Sequence, residues 1–531
     1  MRYGFVIDHR RCIGCHACTV ACKEENRVPL GAFRTWVKYV ERGTFPDTQR
    51  YFSVLRCNHC DDAPCVTICP TVALYRRPDG IVDFDGRRCI GCKSCMQACP
   101  YDALYIDPNT NTAAKCNYCA HRIEVGLEPA CVIVCPEQAI IAGDLDDPRT
   151  PIARLVAREQ VDVRKPEQGT RPKVFYVGAD TSALTPSLQQ PAMSYAFGQR
   201  PAAELDLVRM VAAVQAREPG GDGTLSRPVY DVPHAPRPWG WRVSAYLWTK
   251  AIASGALLVG GANVLLRPNT VGTLAAVLAP VVALLFLLIT TALLVLDLKR
   301  PDRFHYILLK GNPRSWLVWG AWILMAYGGL ATVWLVAGLA GRTDVLHTLA
   351  VPAVLLAVAA AGYSAFLFGQ AEGRDFWQTP LHLPHLLAGA LVAGSATLTI
   401  LHLLTGHNTW GPELMGVEGL RLAMAAGLLA HALIIGLELF GTHPSVDVRR
   451  AARLISHGAW RSRFWGGAVL AGIGLPVMLV VWGLGAAATH LPMGVTLQEP
   501  VATTAAAILA LIGLWIYEDL WIKAGQSIPL S

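Results

Sequence analysis

The chain has 531 residues, a net charge of +7, 53% hydrophobic residues and 16% charged ones. Its mean hydropathy of +0.36 excludes an ordinary soluble protein, and its length exceeds what a single core organises. The positive balance does not point to nucleic acid, because the arginines sit in connections between apolar runs; no nucleic-acid partner is expected. Residues 1–11, MRYGFVIDHRR, lead directly to the first cysteine with no apolar stretch behind Arg10 and Arg11, so no export signal is expected.

All sixteen cysteines lie between Cys12 and Cys135, in four groups of four. Cys12, Cys15, Cys18 and Cys22 read C-x2-C-x2-C-x3-C, and so do Cys89, Cys92, Cys95 and Cys99, the latter followed by Pro100. Cys57, Cys60, Cys65 and Cys69 read C-x2-C-x4-C-x3-C before Pro70; Cys116, Cys119, Cys131 and Cys135 read C-x2-C-x11-C-x3-C before Pro136. The first of these spacings is the bacterial ferredoxin pattern, in which three thiolates grip one iron–sulfur cubane and the fourth reaches another. Ligand count alone therefore gives four [4Fe-4S] clusters. Four all-cysteine zinc sites are the alternative, disfavoured by the third cysteine two residues on and by the closing Cys-Pro. Disulfides fit such dense C-x2-C loops less well still.

Around the cysteines, YGFVID (3–8), GIVDFD (80–85) and ALYID (103–107) read as short strands, and short helical turns carry the closing cysteines. RCIGCHACTVAC against RCIGCKSCMQAC is an internal repeat, so the expected fold is a duplicated α+β ferredoxin. Gly14 and Gly91 let each C-I-G-C loop turn its backbone N–H groups toward sulfur.

The run CNHCDDAPCVTICP (57–70), the gap between Cys119 and Cys131, and TRPKVFYV (170–177) resemble the four-cluster iron–sulfur subunit of dimethyl sulfoxide reductase and polysulfide reductase, over residues 1–180. The resemblance implies crosswise pairing: Cys12, Cys15, Cys18 with Cys135; Cys116, Cys119, Cys131 with Cys22; Cys57, Cys60, Cys65 with Cys99; and Cys89, Cys92, Cys95 with Cys69. Residues 181–240, rich in proline and glycine, read as a linker with one amphipathic helix over 202–218, lying on the domain, on the bilayer or in solvent.

From residue 241 onward the expectation is an all-α membrane bundle. Eight apolar runs of bilayer-spanning length cover roughly 244–266, 271–296, 315–340, 346–370, 380–405, 417–441, 464–488 and 501–524. LDLKRPDRFHYILLKGNPRSWLVWG (296–320), the glycines of 464–476 and KAGQSIPLS (523–531) resemble the NrfD/polysulfide reductase membrane anchor, implying a fusion of two subunits. Eight spans put both ends of the bundle on the side of the cysteine domain. The connections on that side carry Lys299, Arg300, Arg303, Lys310, Arg314, Arg374, Arg449, Arg450, Arg453, Arg461 and Arg463, against Arg267, Arg342 and Arg421 opposite. The positive-inside rule then expects domain and termini in the cytoplasm of a prokaryotic cell.

Ionisable groups in hydrocarbon need a reason. Lys250, Asp297, Tyr363, Gln370, Glu372, His385, Glu438 and Glu518 all fall toward the domain's leaflet, where they could form a quinone pocket with proton-transfer groups. Tyr363 resembles the quinone-contacting tyrosine of polysulfide reductase, within Tyr-Ser-Ala rather than the family's Tyr-Thr-Gly. Against this, Lys250 could snorkel to the surface, and Asp297, Glu372 and Glu518 could be helix-end charges paired with Arg or Lys. Glu438 and His431, the latter near mid-span, lie seven apart on one helical face and read as a polar interior path or as a satisfied core histidine; His402 falls near the far end and reads as interfacial.

The expected function is electron transfer and membrane anchoring in a quinone-linked respiratory oxidoreductase. Four [4Fe-4S] clusters would connect membrane menaquinone or ubiquinone to a separate catalytic subunit, by resemblance a molybdenum or tungsten bis-pterin enzyme. The alternative is a proton-translocating module driven by the cluster chain.

Overall fold

The computed structural model describes residues 1–44, 46–189, 226–234, 237–266, 271–405, 417–488 and 498–531. The expected amphipathic helix over 202–218 lies outside the described residues.

In the cysteine domain, Tyr3–Asp8 is a central strand with an almost continuously buried run, as its unbroken apolar sequence requires. It pairs antiparallel with Ile140–Asp144 and parallel with Val174–Val177, which in turn pairs with Val161–Asp162. Thr35–Thr44 and Asp47–Arg56 form a ten-residue antiparallel hairpin. Two small hairpins, Leu74–Arg76 with Val82–Phe84 and Leu104–Ile106 with Ala113–Lys115, frame the cysteine loops. All three expected β pieces are strands, and the closing cysteines ride on or beside helices such as Ala17–Glu25, Pro64–Thr67 and Ser94–Ala98. Where a bare tether is expected, Ser226–Tyr230 instead adds as a third strand beside Thr35–Thr44. Its partner strand would otherwise present an unpaired edge.

Eight helices among the described residues are long and apolar enough to cross a membrane: Trp241–Leu266, Leu274–Asp297, Trp316–Leu339, Thr343–Gly369, His382–Leu404, Glu418–Phe440, Arg463–Trp482 and Pro500–Gly525. They match the eight expected spans to within a few residues. The first and fifth form the centre, each 67% buried over its apolar window against 28% for the second, third and seventh. They cross through glycine: a Cβ on Gly255 would stand 1.9 Å from the Ala390 carbonyl oxygen, and one on Gly394 2.1 Å from the Gly255 backbone. Backbones approach this closely in membranes only where side chains are minimal.

The domain sits on one end of the bundle through polar contacts made mostly by connections, with Asp297 at the end of the second span as a further anchor. Lys299 and Arg300 donate backbone N–H groups to Gly91 and Ile90, and Asn312 donates to Pro70 and Cys69. Ser315 donates to Ile68, Arg303 to Gly86 and Cys89, and Arg164 to Leu530 near the chain's end. Gly91, at φ +67°, leaves room that a Cβ would lose, standing 2.5 Å from the Lys299 side chain. Several basic residues that read as a topology signal therefore also seat the domain. Arg421, counted among the far-side connections, is instead inside the sixth span, 2% exposed, and donates to Thr503 of the eighth.

Candidate electron-transfer centre

Four cavities in the domain are each lined by four cysteines, and every set draws on two of the sequence groups. Cys12, Cys15 and Cys18 meet Cys135; Cys116, Cys119 and Cys131 meet Cys22. Cys57, Cys60 and Cys65 meet Cys99; Cys89, Cys92 and Cys95 meet Cys69. One short helix carries Cys18 into the first set and Cys22, a turn later, into the second. Cys65 and Cys69 link the other two sets across the helix Pro64–Thr67 and the residues after it.

Backbone N–H groups aim at the sulfurs: Gly91 and Ala113 donate to Cys89 Sγ at 3.4 and 3.3 Å, and Ala139 donates to Cys135 Sγ at 3.2 Å. Asn26 Nδ2 donates to the sulfurs of Cys22 and Cys119. Burial pushes the Cys18, Cys92 and Cys116 thiols up to about 12, so these sulfurs would stay protonated unless a metal centre compensates the thiolate. Among the described residues, no three His, Cys, Asp or Glu side chains converge as they would on one ion. The thiols surround a space instead, which fits an extended iron–sulfur group and does not fit a zinc ion.

The set of Cys69, Cys89, Cys92 and Cys95 faces the membrane. Lys93, in its loop, makes a 2.8 Å ion pair with Asp297 at the end of the second span. Trp239 Nε1 donates to the Cys92 carbonyl at 3.1 Å. In the set of Cys12, Cys15, Cys18 and Cys135, Cys15 is exposed, and so is Ile13 in the same loop.

The membrane candidates divide. Lys250 is 2% exposed and does not snorkel: its Nζ donates to the Ala361 carbonyl and to Ser364 Oγ at 2.9 and 2.6 Å, and lies 4.5 Å over the Tyr363 ring. His385, Glu438 and Glu518 form a second buried set. His385 Nε2 lies 3.3 Å from Glu518 Oε1 and Nδ1 3.9 Å from Glu438 Oε2, while Tyr517 and Trp521 donate to Glu438. His431 packs its ring 4.7 Å from His385. Glu518 therefore pairs with histidine and not with Arg or Lys.

Two candidates join neither set. Asp297 anchors the domain through Lys93, and Gln370 ties two spans together by accepting from the Trp316 N–H and donating to the Arg314 carbonyl. Glu372 is half-buried in the connection after the fourth span, where burial raises its carboxyl pKa. His402 lies two residues from the far end of the fifth span, as expected, and is 3% exposed, packed within the bundle.

Sequence reasoning missed a stack of rings between domain and bundle. Trp239 stacks on Trp377 at 5.5 Å, Trp377 on Trp521 at 5.8 Å, and Trp521 on His382 at 4.1 Å and 6°. These residues lie far apart in sequence, so no spacing announces them; only His382, three before His385, carried a signal.

This arrangement defines a class: a cysteine-rich electron-transfer domain fused to an eight-span membrane bundle. Residues 232–527, more than half of the chain, match the family described as polysulphide reductase, NrfD, and the chain belongs to that family; residues 48–145 match a 4Fe-4S dicluster domain. The first part is 49% identical over 198 residues to a tetrathionate reductase subunit of Salmonella typhimurium, covering 36% of this chain and 79% of that one. It is 42% identical over 181 residues to a polysulfide reductase subunit of Wolinella succinogenes, covering 33% and 94%. Against protein NrfC of Escherichia coli K12 it is 44% identical over 180 residues, covering 33% and 81%. The chain is thus a 4Fe-4S electron-transfer subunit joined to an NrfD-type multi-pass anchor, of the kind found in reductase complexes.

Proposed function

We propose that the chain carries electrons through four [4Fe-4S] clusters between a bis-pterin molybdenum or tungsten subunit and membrane quinone. The single observation that carries this reading is the crosswise meeting of cysteines around four cavities, each provided with four thiols. When bound, the clusters pass single electrons and the quinone takes up two electrons and two protons. The exposure of Cys15 and Ile13 supports docking of the catalytic subunit at that set, and the Cys92 contact with Trp239 supports electron exit at the set beside the bundle.

At that exit, Lys250 and Ser364 supply donors for a quinone carbonyl beside the Tyr363 ring. His385, Glu438 and Glu518 hold protons for the reduced headgroup. The basic connections support a cytoplasmic domain; an alkaline phosphatase fusion at Ser531 is then inactive. Purified protein should contain iron and acid-labile sulfide for four clusters per chain, and these should reduce a quinone analogue in proteoliposomes. Zinc in place of iron, or no exchange with any quinone, defeats the reading.

A second reading, proton translocation driven by the cluster chain, draws on His402 and Arg421, buried toward the far end beyond His431. Proton uptake limited to quinone chemistry in proteoliposomes would remove it.

A further inference from the structure

Arg56 closes the strand Asp47–Arg56 and is 1% exposed. Its guanidinium lies 4.4 Å over the Phe5 ring, and Nη1 donates to Cys131 Sγ at 3.2 Å. Nε and Nη2 have no hydrogen-bond partner, and no carboxylate stands within ion-pair distance of it among the described residues. A buried cation without a counter-ion is strongly unfavourable unless an anion compensates it, and an arginine cannot escape by losing its proton. The anionic groups available to it are cysteine thiolates and what they hold.

The other cavities are not built this way. The membrane-facing one is lined by Asp85 as well as by Lys93, which Asp297 already neutralises; the outermost is lined by Glu137; the Cys57 set has no charged residue in its lining. The cavity of Cys22, Cys116, Cys119 and Cys131 is lined by Arg34 and Arg56 and by no carboxylate. Lys115, fully buried, lines neither this cavity nor that of the Cys57 set: its Nζ donates to the carbonyls of Val82, beside the Cys57 set, and of Cys116, so its charge lies between two sets and does not distinguish them.

We propose that Arg56 sets the reduction potential of the cluster held by Cys22, Cys116, Cys119 and Cys131, making it the most readily reduced station of the four. Adding one electron to a [4Fe-4S]2+ cluster adds one negative charge, which a fixed cation in a dry cavity favours. The proposal rests on the reading that each cysteine set holds a cluster.

The test is an EPR-monitored redox titration of the full-length protein. Arg56→Gln lowers the midpoint of one cluster by at least 59 mV, a tenfold shift of its one-electron equilibrium toward the oxidised form, and moves the other three less. Arg56→Lys, which keeps the charge, restores most of the shift, and Arg34→Gln lowers the same midpoint by a smaller amount. Unmoved midpoints in Arg56→Gln, equal shifts at all four clusters, or an Arg56→Lys shift as large as that of the glutamine variant overturn the proposal. Should Arg56→Gln lose the cluster altogether, Arg34→Gln decides, and an unchanged midpoint there overturns it. Iron and sulfide in the unmutated protein separate the two failures: fewer than four clusters sinks the parent reading, whereas four clusters with no shift sinks this inference alone.

Discussion

Buried charge is handled in opposite ways at the two candidate sites of the chain. Beside the cysteine sets, Arg56 is buried with a cysteine sulfur for company. In the bundle, Glu438 and Glu518 meet His385, and Lys250 meets only neutral oxygens. An arginine is a permanent charge and can shape a potential, whereas histidine, carboxylate and lysine can change their protonation. On the proposed function, the domain would hold electrons at set energies and the bundle would match them with protons.

The sharpest way to break this division is at Cys22. Cys22→Ser is expected to remove or convert the cluster of Cys116, Cys119 and Cys131, leaving the signals assigned to Cys12, Cys15 and Cys18 in place. Quinone-coupled turnover should be almost abolished, because a gap interrupts the chain of stations. Loss of the Cys12 set's EPR signal instead would mean that the cysteines pair within their own sequence groups.

On the membrane side, Lys250→Ala should lower quinone turnover by roughly 10²-fold, within the range for losing one donor aimed at an oxygen that gains negative charge. Tyr363→Phe should cost about tenfold, the equivalent of one hydrogen bond. In both variants dithionite should still reduce all clusters. Unchanged turnover in both would shift the quinone site to the His385–Glu438–Glu518 set.

These two regions were also unequally legible. Metal-ligand spacing is a local property, so Cys12 to Cys135 disclosed their chemistry within short windows, although which distant cysteine completes each set came only by resemblance. Apolar run length is local as well, and the spans emerged within a few residues. What a polar residue inside a span does is not local. Asp297 read either as a pocket residue or as a helix-end charge paired with Arg or Lys, and its partner is Lys93, some two hundred positions earlier; Gln370 read as a pocket residue, and its partners are the Trp316 and Arg314 backbone. The Trp239–Trp377–Trp521 stack exists only once the bundle is assembled.

The junction between the halves gives the next test. Asp297→Asn leaves Lys93 without its counter-ion in a site where the two side chains are 8% and 15% exposed. Breaking a buried pair from one side costs about 3 kcal/mol. The domain should dissociate more readily from the bundle, seen as faster hydrogen exchange at residues 89–95 and 299–315, with cluster content unchanged. Lys93→Met together with Asp297→Leu, which removes both charges, should recover much of the loss.

The smallest expected effect concerns the strand that leads from the domain to the first span. His234 bridges Asp102 at 2.8 Å and Asp231 at 3.3 Å with 31% of its side chain exposed. Burial works against its charged form, but the two carboxylates outweigh it and push His234 up to about 10. A folded pKa raised above the unfolded value near 6.5 stabilises fully below that value, and the contribution drains away as pH rises through about 10. Solvent access limits the contribution to about 1 kcal/mol. Hydrogen exchange at residues 226–234 should therefore accelerate between pH 7 and 10 beyond the intrinsic rise. His234→Gln should remove that extra pH dependence and behave at pH 7 as the unmutated strand does at pH 10. A strand whose protection ignores pH in this window would mean that His234 gains no charge from Asp102 and Asp231, and that the hairpin contacts alone hold the junction.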